Sequence, residues 1–218
     1  HLYFQGLFTR QAHKGIPEGA YEEEQGLKGF FGPVSHLIKR QPSTRWTKIT
    51  GPLRPHMYDL VKMKEAEGWQ RMLYNSHVEI SLLWMDAKPE YRSKAYRDGD
   101  GDLLYFCHKG SGEVWSEYGM LKYRKGEYVM IPKCLTHSIV PSERSLFFVV
   151  EDRSSHFEEP DRGLVGKHAI YDPAALGKPD LEAQNVRMSS LKAEVKEIVI
   201  KRLDEFTRGT RVVLRGAG

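Results

Sequence analysis

The sequence predicts a mainly β protein: an antiparallel β-barrel with an irregular N-terminal arm and a few short helices. Between Tyr96 and Pro141, short runs of β-branched and aromatic residues alternate with glycine-bearing turns. This pattern is typical of antiparallel strands joined by tight hairpins. In the strand Val78–Met85, Val78, Ile80 and Leu82 alternate with Glu79 and Ser81, and Ser145–Glu151 and Val195–Lys201 are further runs of strand length. Together these runs supply enough strands for a jelly roll.

Four segments are expected along the 218 residues. Residues 1–6 resemble the remnant of a protease-cleavable purification tag and are set aside. Residues 7–70 form the arm and the first strands, residues 71–208 form the barrel, and residues 209–218 are a tail of uncertain origin.

Local signals inside these segments predict two short helical pieces. Tyr21–Gly26 indicates one helical turn ended by glycine, and Asp172–Leu176 opens like a helix with an aspartate cap and proline at its first position. The two histidines of the arm, His13 and His36, are interpreted as exposed or capping groups.

Composition narrows the class of protein. No apolar stretch reaches the length that spans a bilayer, and no charged-then-apolar leader is seen, so a membrane partner is not expected. The net charge of +4 is small, and basic residues are mixed with acidic ones, which argues against nucleic-acid binding. Cys107 and Cys134 are expected to be reduced, although a disulfide stays open, and this favours a cytoplasmic protein.

A barrel with this hairpin rhythm suggests the cupin class, whose two metal-binding motifs can be checked. The second motif is a glycine, five residues, a proline, four residues and a histidine, and Gly126, Pro132 and His137 match it. The glycine permits the turn into a strand, and the proline ends that strand. The histidine then points into the barrel mouth.

The first motif needs two histidines, two residues apart, followed by a carboxylate. With Asp102 taken as that carboxylate, the histidine positions fall on Tyr96 and Asp98, or on Ala95 and Arg97. Neither pair supplies an imidazole, whereas a facial-triad iron site needs two histidines and one carboxylate. Full metal binding by this barrel is therefore not expected.

Weak metal candidates remain. They are His137, Asp102 and His108, and for His137 we favour a mouth histidine bonded to a backbone carbonyl. A further alternative is an independent metal site that adds His77 and Glu79 to the two histidines. No catalytic residue and no cofactor-binding residue is predicted.

A mouth pocket is a second possibility for the barrel. It would be lined by Tyr105, Trp115 and Tyr123 with His137, and would hold a small aromatic ligand. Against this stands the interpretation that the three rings are ordinary core residues, as strand aromatics usually are.

Several pieces of the sequence, in order and spacing, resemble the N-terminal half of the homogentisate 1,2-dioxygenase family. The pieces are Tyr96–Leu104, Gly110–Gly119, Gly126–Pro132, His156–Gly166 and the strand from Asn75 to Leu82. The resemblance covers roughly residues 70 to 175 well and the arm more loosely. Gly29–Pro33 is similar to the shorter bacterial branch.

The resemblance implies a two-barrel enzyme that cleaves the ring of homogentisate with dioxygen at non-haem Fe(II), in tyrosine and phenylalanine breakdown. It implies an aromatic acid substrate, a homo-oligomer, and iron ligands in the C-terminal barrel. No residue of this chain matches those ligands, so Fe(II) is implied for the family and not expected in this domain. We therefore expect a metal-poor N-terminal domain, with a non-enzymatic binding or assembly module as the alternative.

The tail after Arg208 departs from what the resemblance leads us to expect. This favours the hypothesis of a truncation or an altered reading frame.

Overall fold

The computed structural model describes residues 13–29, 31–52, 54–60, 62–159, 172–190 and 193–214. The chain divides into two compact units, residues 1–63 and residues 64–218. The purification-tag segment and the stretch from Pro160 to Gly166 lie outside the described residues.

The first unit contains one antiparallel hairpin of β1 (Tyr21–Lys28) and β2 (Phe31–Lys39). The helical turn predicted over Tyr21–Gly26 is therefore wrong. Glu22, Glu23 and Glu24 favour a helix locally, but cross-strand pairing along the hairpin decides their conformation. Most of the remaining described arm up to residue 63 has no regular structure.

The second unit holds eleven strands among its described residues. In chain order the elements are β3 (Gly68–Tyr74), β4 (Val78–Met85), a 3₁₀ helix (Pro89–Ser93), β5 (Lys94–Asp98), β6 (Asp102–Lys109), β7 (Ser111–Ser116), β8 (Gly119–Arg124), β9 (Tyr128–Ile131), β10 (His137–Pro141), β11 (Ser145–Asp152), a 3₁₀ helix (Pro173–Ala175), α1 (Leu181–Ser190), β12 (Ala193–Arg202) and β13 (Glu205–Leu214).

These strands form two sheets. One has the order β13-β12-β5-β10-β7-β8 and the other the order β3-β4-β11-β6-β9. All neighbours are antiparallel except β12 and β5, which run parallel. The core lies between the sheets, because β4, β6, β9 and β11 contribute buried side chains from one and β7, β8 and β10 from the other. The predicted cupin-like jelly roll is confirmed, although the sheets are not closed into a barrel.

Local sequence signals account for several elements. The strands predicted from Val78, from Ser145 and from Val195 are β4, β11 and β12. The aspartate cap predicted at Asp172 is also confirmed, since its side chain accepts a hydrogen bond from the backbone N–H of Ala174. Residues 209–214 of the predicted tail form the second half of β13 and pair with β12.

The structure also bears on the cysteines and on the possibility of a membrane-spanning helix. Cys107 and Cys134 are free cysteines; Cys107 is buried, and burial raises the pKa of its thiol to about 11. Among the residues that the structure describes, no helix is both long enough and apolar enough to cross a membrane.

Candidate functional site

The Gly-Pro-His motif places His137 inside the jelly roll. Gly126 has φ +91° in the turn between β8 and β9, a conformation that favours glycine. Pro132 directly follows β9, and His137 is the first residue of β10, paired with Tyr96 of β5 and with Ser116 of β7. The spacing in the sequence thus fixes where this imidazole enters the interior.

His137 is fully enclosed, with 1% of its surface exposed. Its Nδ1 lies 3.3 Å from the backbone carbonyl oxygen of Leu135, and a carbonyl only accepts, so Nδ1 carries the hydrogen. The neutral Nε2 then accepts a hydrogen bond from the Tyr105 hydroxyl at 2.9 Å. Burial lowers the pKa of His137 to about 4, so the imidazole is neutral at pH 7.

Two tyrosines surround this histidine. The Tyr96 and Tyr105 rings meet the imidazole edge-on, with centroids 5.8 and 5.6 Å away. The Tyr96 hydroxyl donates to Oδ2 of the buried Asp98 at 2.9 Å. Burial, reinforced by the nearby Asp98 charge, raises the pKa of both phenols, and burial also raises the pKa of Asp98. The phenols therefore stay protonated and act as hydrogen-bond donors.

A cavity of about 370 Å³ opens beside His137. Its lining is mostly apolar and aromatic and comprises Gly68, Trp69, Leu83, Trp84, Met85, Tyr91, Lys94, Ala95, Tyr96, Tyr105, His137, Ser138, Ile139, Val199, Phe206 and Arg208. An apolar cavity with a few convergent polar groups is the usual form of a small-molecule site.

A second cavity of about 310 Å³ shares Trp69, Tyr96 and Phe206 with the first. The wall of this second cavity is charged and includes Lys201, which has 2% of its surface exposed. The Lys201 ammonium contacts Glu151, and lies 3.3 Å from Glu79 Oε2 and 3.9 Å from Asp98 Oδ2.

Two arginines and Asp204 complete this arrangement, which we call the buried ion cluster. Its centre is the buried residues Glu79, Asp98, Glu151 and Lys201, and its edge is the partly buried Arg153 with the exposed Arg71 and Asp204. Arg71 and Arg153 each approach Glu79 Oε2 at 2.6 Å, and they approach Asp204 at 2.7 and 2.8 Å. Burial opposes ionisation of Glu79, but the hydrogen bond from Arg71 and the charge of Lys201 outweigh it and hold the Glu79 pKa below its usual value. The cluster ties the β12–β13 hairpin to β3, β4 and β11.

The weak metal candidates do not come together. Asp102 is buried elsewhere, where it accepts hydrogen bonds from the backbone N–H groups of Lys133 (2.7 Å) and Phe157 (3.1 Å) and lies 3.1 Å from His156 Nδ1. His108 is exposed near the end of β6. Neither residue lines the cavity beside His137.

The four-residue alternative is likewise dispersed. His77 is exposed just before β4, while Glu79 belongs to the buried ion cluster. Two of its imidazoles are therefore on the surface, and its carboxylate is already neutralised by Arg71, Arg153 and Lys201.

The predicted pocket residues are only partly brought together, which corrects the expected lining. Tyr105 lines the cavity, but Tyr123 packs edge-on against Phe147 at 4.9 Å with its hydroxyl 3.0 Å from Ser145 Oγ. Trp115 donates to Glu113 Oε2 at 2.9 Å and does not line the cavity. The alternation of side chains along β7 and β8 does not predict which end of the interior the Trp115 and Tyr123 rings occupy.

Sequence reasoning missed Trp69 and Lys201. Trp69 belongs to a short edge strand with weak alternation, and Lys201 follows the apolar run Ile198–Ile200 near the end of β12, where a lysine is ordinarily exposed. The need for a cation becomes visible only with the strand pairing, which opposes the buried carboxylates Glu79 and Glu151 directly between β4 and β11.

The fold and the interior histidine define a cupin-like jelly-roll domain. The family described as homogentisate 1,2-dioxygenase N-terminal matches residues 36–197, and the chain belongs to this family. The family membership that the sequence predicted is therefore confirmed.

Curated relatives agree. A provisionally named dioxygenase of Saccharolobus solfataricus is 24% identical over 202 residues, covering 85% of this chain and 51% of that protein. The homogentisate 1,2-dioxygenase of Caenorhabditis elegans is 28% identical over 62% of this chain and 30% of its own length, and that of Dictyostelium discoideum is 28% identical over 43% and 22%. The chain thus spans about half, or less, of the length of these relatives.

Solved structures give a weaker likeness. An RmlC-like cupin of Methanocaldococcus jannaschii superposes on 45% of this chain and 91% of its own, with 17% identity and a TM-score of 0.37. A cupin-2 domain protein of Shewanella frigidimarina covers 42% and 85%, with 14% identity and a TM-score of 0.35. A likeness at this level carries no functional information.

Proposed function

We propose that this chain is the N-terminal domain of a homogentisate 1,2-dioxygenase-like enzyme, and that its cupin jelly roll is metal-poor. Its role is structural, and a C-terminal barrel that binds Fe(II) performs the oxygen-dependent ring cleavage of homogentisate. The observation that carries the proposal is the donor set around His137, in a chain of the N-terminal family.

That donor set does not fit Fe(II). Among the described residues that line the cavity, His137 is the single imidazole, and the histidine positions of the first motif hold either Tyr96 and Asp98 or Ala95 and Arg97. The Nε2 lone pair of His137 is already used by the Tyr105 hydroxyl, and Nδ1 faces a carbonyl. A facial triad needs two imidazoles and a carboxylate, which the lining of this cavity does not supply.

We expect that replacing His137 does not change the amount of iron that the chain binds. The chain is incubated anaerobically with Fe(II), passed through gel filtration and analysed for metal, alongside His137→Ala. Equal iron in both proteins is expected, because the His137 imidazole has no free ligand atom and no second imidazole beside it.

Oxygen uptake with homogentisate is measured on the same two samples and is expected to stay at the level of a protein-free control. Iron that is lost in His137→Ala, together with oxygen uptake that depends on homogentisate, would overturn the proposal.

A second candidate function is supported by the apolar cavity itself. Trp69 and Tyr96 lie with ring centroids 5.3 Å apart at its wall, and the Tyr105 hydroxyl offers an oxygen acceptor inside it. We infer that a non-enzymatic module would use this cavity for a small aromatic molecule.

A thermal-shift screen with aromatic acids tests the second candidate. A ligand that binds the folded state at a hundred times its Kd stabilises it by about 2.7 kcal/mol, a shift of several degrees in Tm. We expect Trp69→Ala to reduce the shift, because it removes a ring of the cavity wall. Trp46→Ala changes an exposed tryptophan of the first unit and serves as the matched control. A shift that is unchanged in Trp69→Ala would place the ligand elsewhere.

A further inference from the structure

The β1–β2 hairpin gathers metal-ligating side chains on one face. Glu22 and Glu24 are two residues apart on β1, so their side chains point the same way, and His36 of β2 is paired directly with Glu24. Glu22 and His36 are the diagonal pair on this face, and His36 Nε2 lies 3.1 Å from Glu22 Oε1.

His13 reaches the same carboxylate from outside the strands. Its Nδ1 lies 2.7 Å from Glu22 Oε2, and its backbone N–H donates to Glu22 Oε1 at 2.8 Å. The two imidazole rings are 5.5 Å apart between centroids. His13 holds this position with φ +60°, a conformation that costs a residue other than glycine about 1 kcal/mol or more. Residues 23 positions apart in the chain thus converge on one carboxylate.

We propose that His13, Glu22 and His36, the hairpin triad, bind one Zn²⁺ ion. Two imidazoles and a carboxylate form a common protein donor set for zinc, with water or a fourth side chain completing a tetrahedron. The ligand atoms of the triad all lie within 4.8 Å of one another. Ligand atoms about 2.1 Å from a tetrahedral ion are about 3.4 Å apart, so shifts of under an ångström suffice to admit zinc.

Glu24 adds an outer contact of the kind that zinc histidines make. When His13 ligates through Nδ1, its Nε2 points towards Glu24 Oε1, which lies 3.5 Å away. Metal-bound histidines usually donate their second ring N–H to a carboxylate, which fixes the ring orientation. The Glu22 and Glu24 charges also favour a dication, and His13 is exposed enough to give the ion an entry path.

Donor chemistry sets the selectivity. Imidazole suits zinc and similar transition metals, whereas Mg²⁺ and Ca²⁺ prefer full sets of oxygen ligands. We therefore expect Mg²⁺ in large excess not to displace Zn²⁺ from the hairpin triad.

The test uses the full chain, stripped with a chelator and titrated with Zn²⁺ by calorimetry, with metal analysis after gel filtration. We expect the wild type to bind one more equivalent of Zn²⁺ than either His36→Ala or Glu22→Gln. His77→Ala is the matched control, because His77 is also exposed but lies outside the hairpin. Far-ultraviolet circular dichroism confirms that each variant is folded.

Co²⁺ gives a second readout, since four-coordinate Co²⁺ absorbs visible light strongly and hydrated Co²⁺ does so weakly. The strong bands are expected in the wild type and in His77→Ala, and should be lost in His36→Ala. Zinc binding that is unchanged in His36→Ala, or reduced as much in His77→Ala, would overturn the proposal. The site lies within the first unit and does not depend on the proposed function of the second.

Discussion

Replacing Lys201 by alanine is expected to lower the free energy of unfolding by about 3–5 kcal/mol. The substitution removes the ammonium that contacts Glu151 and lies close to Glu79 and Asp98, all in an enclosed part of the interior. Carboxylates that lose a buried cation must either stay charged in a poorly solvating environment or take up protons. Urea unfolding at pH 7, followed by circular dichroism, measures the loss.

Lys94→Ala is the matched control for Lys201. Lys94 pairs with Glu90 at 2.8 Å on the surface, where both side chains are about half exposed. Exposed pairs of this kind contribute about 0.3–0.5 kcal/mol. Equal effects of the two substitutions would show that the Lys201 ammonium does not compensate buried charge.

The second large effect is a loss of stability in acid caused by His137. The folded state lowers the pKa of this imidazole to about 4 from an ordinary value of 6.5, so the unfolded chain binds its proton more readily. The stabilising contribution is therefore complete above pH 6.5 and is lost as the pH falls from 6.5 towards 4. Its full size over this window is about 3 kcal/mol.

Unfolding free energies measured from pH 7 to pH 4 for the wild type and for His137→Gln test this expectation. The wild type should lose about 3 kcal/mol more than the variant across the window. Asp98 has a raised pKa and acts with the opposite sign, but it is present in both proteins, so the difference reports His137. His77→Gln, which changes an exposed imidazole, should follow the wild type, and parallel curves for wild type and His137→Gln would contradict the assignment.

The strands that local pattern predicted are those in which at least one face is buried. In β4 and β11, alternation or a continuous apolar run follows directly from packing against the opposite sheet. The β1–β2 hairpin has no such signal, because most of its described side chains are exposed or half-exposed and three consecutive glutamates stand in β1. A two-stranded hairpin without a buried face shows no apolar periodicity in its sequence.

The candidate site, like the fold, was predictable only in part. The Gly-Pro-His spacing placed His137 at the start of a strand, and the sequence also showed that neither Tyr96 with Asp98 nor Ala95 with Arg97 supplies the histidines of the first motif. The rest of the cavity wall was not predictable, since Trp69 and Val199 come from strands that are far from Tyr105 in the chain. Their proximity follows from the order of the strands in the two sheets.

Local sequence patterns were sufficient to predict the jelly-roll class, the family and the position of His137 at the start of a strand, because turns, strand periods and motif spacing are local properties of the chain. Tertiary structure alone decided that Lys201 neutralises Glu79 and Glu151, and that His13 and His36 converge on Glu22. The physical reason is that charges and ligand atoms act through space over a few ångströms. Lys201 is 122 residues from Glu79 and 50 from Glu151, and only strand pairing brings such partners into contact.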